Sequence, residues 1–141
     1  MKIISGILAF KNGKVLLVKP RRGIPRKKWI WGGGHAEKGE TPMQAALREF
    51  REETGLNAKI KGILAYREVR DTLFIAFLGE ALEGELKWPE DEVEEVRWFE
   101  INKVLKMKVF RNHELPTDEE GTVEIVREAI ENYTTGKFLP L

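Results

Sequence analysis

The segment Gly34–Leu56, GHAEKGETPMQAALREFREETGL, constrains this chain more than any other part of the sequence. Its glycines, with those just upstream, predict a loop, because glycine tolerates backbone angles that other residues avoid. Thr41 followed by Pro42 predicts a helix start, with Thr as the N-cap and Pro at the first helical position. Gly55 is suited to end that helix. The segment therefore predicts a glycine loop followed by a helix over Pro42–Thr54.

The predicted helix has an apolar face and an acidic face. Apolar residues recur at the 3.6-residue period and predict a core stripe: Met43, Ala46, Leu47 and Phe50. Glu49, Glu52 and Glu53 are spaced i, i+3, i+4, so their carboxylates cluster on the adjoining side. Arg48 can neutralise one of them through its i+4 relation to Glu52. Such a cluster is in general a solvated acidic face, but the loop and the fixed spacing around it favour an Mg²⁺ site of hard oxygen ligands.

The whole segment resembles the Nudix box, G-x5-E-x7-R-E-U-x-E-E-x-G-U, in which U is a bulky apolar residue. Every defined position is filled, by Gly34, Glu40, Arg48, Glu49, Phe50, Glu52, Glu53, Gly55 and Leu56. One departure lies just upstream, where the family often has Pro-Gly-Gly and this chain has Gly32-Gly33-Gly34. The missing proline predicts a looser entry to the loop.

The resemblance implies an enzyme that hydrolyses a nucleoside diphosphate linked to another group, with Mg²⁺ or Mn²⁺ as cofactor. It implies that three glutamates of the box ligate the metal, joined by the backbone carbonyl of Gly33: Glu49, Glu52 and Glu53. Arg48 is expected to orient these glutamates. Glu40 is expected to brace the loop against the helix.

The general base is open between two sources. In the family it is a glutamate of the box, here Glu49 or Glu52, or an acid on a later loop. Glu92 and Glu95 are the later candidates, and Glu92 is favoured because it lies on a predicted loop. A base must lie within hydrogen-bond reach of the attacking water, which the sequence cannot place.

A basic stretch, residues 19–28, precedes the glycines and carries six Lys and Arg residues in ten. It is either a solvated loop or a rim that faces substrate phosphates. The family resemblance favours the rim, because this region often borders the substrate. The predicted substrate-binding residues are Arg21, Arg22, Arg26 and Lys28.

The substrate is left open among nucleoside triphosphates, including oxidised ones, and nucleotide sugars. The proline that accompanies ADP-ribose enzymes is absent, since Asp71 occupies its place, and Thr72 stands where diadenosine polyphosphate enzymes have a tyrosine. A different class of function is a non-catalytic Nudix-fold sensor that binds a nucleotide and regulates a partner. An isomerase on the same fold is a third possibility.

Composition fits one globular domain over residues 1–141. Hydrophobic residues make up 42% of the chain and charged residues 33%, there is no cysteine, and the net charge of +1 gives no reason to expect a stable nucleic-acid complex. We find no signal peptide and no apolar run of membrane-spanning length, so we expect a cytoplasmic protein with no membrane contact. Monomer and homodimer both remain open.

The order of predicted elements indicates an α+β fold. Alternating and apolar patterns predict strands over Ile3–Phe10, Val15–Val18, Ala58–Arg67, Thr72–Gly79 and Val93–Phe99, with Ala81–Trp88 as a further strand or hairpin arm. A short helix over Ile101–Leu105 and an amphipathic helix from Thr122 to a stop at Gly136 close the chain. The resemblance implies the same arrangement, a Nudix-type α/β/α sandwich with a mixed sheet between helices.

Overall fold

The computed structural model describes residues 1–23, 28–107 and 121–141, which form one mixed sheet and three helices. The strands are β1 Lys2–Lys11, β2 Lys14–Pro20, β3 Gly32–His35, β4 Ala58–Val69, β5 Thr72–Ala81, β6 Val93–Glu100 and β7 Leu139–Pro140. The helices are α1 Pro42–Thr54, α2 Ile101–Val104 and α3 Gly121–Thr134.

Strand β1 is the centre of the sheet, whose order is β6-β2-β1-β5-β4-β7 with β3 paired to β1 off this path. It runs parallel to β5 and antiparallel to β2 and β3. Because successive side chains of a strand point to opposite faces, Leu8 packs in a core cluster with α3, and Ile7 packs in a second cluster with Phe50 of α1. The predicted α/β/α sandwich is confirmed.

The glycines at 32–34 form a strand, so the prediction of a loop there was wrong. Gly33 pairs with Gly6 of β1, and a Cβ atom on Gly33 would overlap the carbonyl oxygen of Ser5. A Cβ on Gly32 would lie 2.9 Å from the ring of Phe50. The glycines therefore allow β3 to lie close to both β1 and α1, a packing role that a local reading of glycine does not reveal.

The segment 82–88 forms no strand, so the predicted strand over Ala81–Trp88 was also wrong. Its backbone bonds to the region just after α1: the Leu82 N–H donates to the Asn57 carbonyl and the Lys87 N–H donates to the Thr54 carbonyl, each at 2.9 Å. The segment thus closes the end of the helix instead of extending the sheet. The C-terminal helix is present as predicted, and β7 at its far side was not predicted.

Candidate active site

Helix α1 has a fixed position and a fixed start. The Gln44 N–H donates to Thr41 Oγ1 at 3.1 Å and the Thr41 N–H donates to Gln44 Oε1 at 2.9 Å, which together make a capping box. The Ser5 hydroxyl on β1 donates to the Pro42 carbonyl at 2.8 Å and joins the first turn to the sheet. Gly55 ends the helix in the left-handed conformation. The carboxylates of the helix are therefore presented from a rigid support.

Arg48 connects the segment between β3 and α1 with the acidic face of α1. Its guanidinium binds Glu40 through two N–H groups, at 2.8 and 3.0 Å, and donates to Glu49 Oε1 at 2.9 Å. It also lies 3.4 Å from Glu52 Oε2 and donates to the His35 carbonyl at 3.2 Å. The hydrogen bond from Arg48 lowers the pKa of Glu40 to about 2. The structure thus brings Arg48, Glu40 and Glu49 into contact, and the bracing role of Glu40 and the orienting role of Arg48 stay predictions.

Glu53 and Glu49 lie against the backbone of β3. Glu53 Oε1 accepts the N–H of Gly33 at 2.8 Å, and a Cβ on Gly34 would lie 2.7 Å from the carboxylate carbon of Glu49. Burial raises the pKa of Glu53 well above its usual range, and the neighbouring charge of Glu49 raises it further. Burial also raises the pKa of Glu49, with hydrogen bonding to Arg48 opposing that rise. The protein therefore does not fully compensate the negative charges of Glu49 and Glu53.

The donor set fits a divalent cation. The Arg48 guanidinium lies within 4 Å of four carboxylates, those of Glu37, Glu40, Glu49 and Glu52. Glu53 adds a further carboxylate beside Glu49 and Glu52, so acidic side chains outnumber the one cation in this group. Carboxylate oxygens are the ligands that Mg²⁺ and Mn²⁺ prefer. Within the described ranges, no group of three or more His, Asp or Glu side chains is arranged so that it could hold a metal ion. For Glu49, Glu52 and Glu53 to hold one ion together, at least one of these side chains would have to change its rotamer.

A cavity of about 820 Å³ opens beside these glutamates, on the face of the sheet that carries α3. Glu53 and Glu92 line one end, together with Gly33. Its apolar lining consists of Ile4, Ile30, Trp31, Val69 and Phe74, and His35 also lines it, opposite Ile4 in the pairing of β1 with β3. The indole of Trp31 lies flat on the backbone of Gly6, where a side chain would overlap it. A cavity that combines apolar walls with a limited number of polar groups is the usual form of a small-molecule site.

The structure separates the two later candidates for the general base. Glu92 lines the cavity, and its charge is one of those that raise the pKa of Glu53. Glu95 instead accepts a hydrogen bond from Arg97 at 2.7 Å and does not line the cavity. The favoured candidate is therefore the one that faces the acidic end, and its role as base stays a prediction.

The predicted substrate-binding residues are dispersed. Arg22 lines the cavity. Arg21 holds the loop of Glu92, because its backbone N–H donates to the Glu92 carbonyl at 2.9 Å and its Nε donates to the Glu90 carbonyl at 2.8 Å. Lys28 does not line the cavity, and Arg26 lies outside the described residues.

Sequence reasoning missed two cations at the other end of the cavity, Lys2 and Arg70. They are far apart in the chain, and only the parallel pairing of β1 with β5 brings them together. No local pattern could have indicated this.

In the described part of the chain, no helix has both the length and the apolar character needed to cross a membrane.

Comparisons of the sequence and of the structure with known proteins agree on one family. The signature of the NUDIX domain matches residues 3–121. An ADP-ribose pyrophosphatase of Methanocaldococcus jannaschii is 33% identical over 110 residues, which are 74% of this chain and 64% of that protein. An oxidized purine nucleoside triphosphate hydrolase of Danio rerio is 35% identical over 112 residues, 73% of this chain and 69% of that protein. A NUDIX hydrolase from Nitrosomonas europaea shares the fold, with a TM-score of 0.75 and 24% identity over 99% of this chain and 93% of that one.

Proposed function

Because the chain belongs to the Nudix family, we propose that it hydrolyses a pyrophosphate bond in a nucleoside diphosphate linked to another moiety. One observation carries the proposal: Glu49 and Glu53 of α1 are held against β3 with their negative charge incompletely compensated, and Glu53 lines a cavity of nucleotide size. A non-catalytic sensor has no use for that excess of negative charge, since a nucleotide's phosphates are themselves anionic. Hydrolysis at a cation-loaded acidic site does require it.

Glu49, Glu52 and Glu53 are the residues that would hold Mg²⁺ or Mn²⁺, with the Gly33 carbonyl as a further oxygen ligand. A divalent cation bound there would neutralise pyrophosphate oxygens and favour water attack at phosphorus. Arg48 keeps Glu49 and Glu52 within reach of the cation, and Glu40 fixes Arg48 in turn through two hydrogen bonds. These two residues act on the ligands and do not themselves contact the substrate.

Glu92 is the proposed general base. It lines the end of the cavity where the scissile phosphate must lie, and the loop that carries it is held by backbone bonds to Pro89 and Arg21. A carboxylate positioned there can accept the proton of the attacking water. Arg22, on the rim of the same end, is positioned to meet substrate phosphates.

The substrate class follows from the family and from the shape of the cavity. The relatives named above act, by their names, on ADP-ribose and on oxidised purine nucleoside triphosphates, both of which contain a nucleoside joined to a pyrophosphate. The apolar walls of the cavity suit the base or sugar of such a molecule, and its acidic end suits the metal-bound pyrophosphate. The candidates are nucleoside triphosphates, oxidised nucleotides and nucleotide sugars.

The test is a panel in which the full chain is incubated with Mg²⁺ or Mn²⁺ and one nucleotide of each class. Released phosphate, pyrophosphate or nucleoside monophosphate is measured, with chelator added as the metal-free control. Turnover of at least one class, lost in chelator, is the expected result. Tight binding of one nucleotide with no turnover of any would reject hydrolysis in favour of the sensor.

A further inference from the structure

We propose that the side chain of Arg21 is a positioning residue for the reaction, and that it acts by holding the loop that carries Glu92. Its neighbour Arg22 then contacts the substrate, whereas Arg21 contacts the protein. This inference rests on the proposed function, because Glu92 needs a fixed position only if it accepts the proton of the attacking water.

The position of the Glu92 carboxylate depends on the backbone that carries it. Glu92 is exposed and lines the cavity. Among residues 1–23, 28–107 and 121–141, no side chain forms a hydrogen bond or an ion pair with its carboxylate. For a catalytic group, a displacement of about 1 Å can cost about a hundredfold in rate. A contact that fixes this loop therefore also fixes the base.

Backbone hydrogen bonds close the loop and join it to β2. The N–H groups of Glu92 and Val93 both donate to the Pro89 carbonyl, at 3.0 and 2.9 Å, and form a turn. The Arg21 N–H donates to the Glu92 carbonyl at 2.9 Å and continues the pairing of β2 with β6. These bonds are made by the main chain, so they do not depend on which side chain stands at position 21.

The side chain of Arg21 holds the middle of the turn. Its Nε–H donates to the Glu90 carbonyl at 2.8 Å, two residues before the carbonyl that its own backbone N–H binds. Its Nη1 lies 3.9 Å from Glu94 Oε1, and Lys19 holds the other oxygen of Glu94 at 2.8 Å. A guanidinium presents its donors in a fixed fork. A single side chain thus contacts residues before and after Glu92.

The two neighbouring arginines have different surroundings. Arg22 lines the cavity, and Arg21 does not. The Arg21 guanidinium bonds to a backbone carbonyl of the loop, and it could turn to a substrate phosphate only by releasing that carbonyl. Two residues of the same chemistry should therefore have different kinetic effects. Arg22 should act on substrate binding, and Arg21 should act on the chemical step.

The kinetic test compares Arg21→Gln with Arg22→Gln, with Mg²⁺ and a nucleotide that the wild type turns over. Arg21→Gln should lower kcat about tenfold to a hundredfold and change KM less than about twofold, because the base moves while the substrate contacts remain. In a Glu92→Gln background, Arg21→Gln should lower kcat by less than about twofold, because the two residues act as a unit. The control Lys59→Gln removes an exposed cation outside the cavity and should behave as the wild type.

A second measurement follows the loop without any turnover. Amide hydrogen exchange, resolved by NMR, reports the bonds that Glu92 and Val93 donate to Pro89. Both amides should exchange about tenfold faster in Arg21→Gln than in the wild type, the size expected for the loss of one hydrogen bond. The amides of β1 should keep their wild-type rates, which shows that the variant is folded. Lys59→Gln should leave all of these rates unchanged.

The outcomes separate the role of Arg21 from the proposed function. A raised KM with kcat kept in Arg21→Gln overturns the proposal, because Arg21 would then contact the substrate. Wild-type kinetics, wild-type exchange rates of the two loop amides, or an equal fall of kcat in the Glu92→Gln background overturn it as well. Each of these results, with turnover by the wild type, leaves hydrolysis standing. If the wild type turns over no nucleotide, hydrolysis is rejected. Faster exchange in Arg21→Gln then still supports the hold on the loop, and unchanged exchange overturns it.

Discussion

Replacing Glu53 by Gln should raise the stability of the metal-free protein while removing activity. Glu53 is held with its pKa well above the usual range, and each unit of such a shift is worth about 1.4 kcal/mol of free energy at a pH where the group is ionised. Gln keeps the shape and removes the charge. Its carbonyl oxygen can still accept the Gly33 N–H, which Glu53 accepts at 2.8 Å. We therefore expect the free energy of unfolding of the variant at neutral pH to equal or exceed that of the wild type.

The stability difference between Glu53→Gln and the wild type should depend on pH in a definite direction. The folded state binds the proton of Glu53 more tightly than the unfolded chain does, because the pKa is raised on folding. That contribution to stability is fully present below the unfolded pKa, and it is lost as the pH rises through the folded pKa. The advantage of Glu53→Gln over the wild type should accordingly be large at neutral pH and shrink as the solution is acidified.

The assay is thermal unfolding in chelator at several pH values, followed by circular dichroism. Glu83→Gln is the matched control, because it makes the same substitution at an exposed glutamate outside α1. With Mg²⁺ added, the wild type should gain stability and the Glu53→Gln variant should gain less. Its kcat should fall by two or more orders of magnitude, roughly 3 kcal/mol of lost barrier stabilisation.

Two results would refute the reasoning. A clear loss of stability in Glu53→Gln at neutral pH in chelator would mean that the carboxylate is well compensated in the folded protein. Full activity of the variant would remove Glu53 from the set of metal ligands.

Three further predictions follow from the site. Glu92→Gln should lower kcat strongly and leave Mg²⁺ affinity nearly intact, whereas Glu95→Gln should have a mild effect because Glu95 pairs with Arg97. A near-normal kcat in Glu92→Gln, with the acidic limb of its pH–rate profile kept, would exclude Glu92 as the base. Arg22→Gln should raise KM and reduce its salt dependence with kcat little changed, and an unmoved KM at low salt would make Arg22 a solvated rim residue. Gly33→Ala should destabilise the protein by about 1–3 kcal/mol in denaturant unfolding, because its Cβ would overlap the Ser5 carbonyl, and a wild-type midpoint would contradict that packing.

The acidic helix could be predicted because its information is local. The cap at Thr41, the stop at Gly55 and the spacing of the glutamates all lie within one continuous segment, and the structure reproduces the helix bounds Pro42–Thr54. Helical periodicity alone places the carboxylates on one side. The pairing of Arg48 with Glu52 was predictable for the same reason, and the structure has it at 3.4 Å.

Long-range partners decided the rest. The glycines at 32–34 predicted a loop because glycine tolerates many backbone angles, but they belong to the strand Gly32–His35 because β1 and α1 approach closely there. Arg21 had the same local signal as Arg22, yet it binds the loop of Glu92 while Arg22 lines the cavity. Arg21 follows the last residue of β2, and its backbone bond to the Glu92 carbonyl continues the pairing of β2 with β6, which neither strand carries in its own sequence.

The sequence by itself determined the family, the helix that presents the glutamates and the chemistry those glutamates can support. Only the tertiary structure decided which charges meet. It half-buried Glu53 against Gly33, it brought Glu92 and not Glu95 to the cavity, and it placed Lys2 and Arg70 in the lining of the same cavity. The physical reason is that burial and electrostatic coupling depend on distances between segments far apart in the chain, and strand pairing, which sets those distances, is a property of the whole sheet.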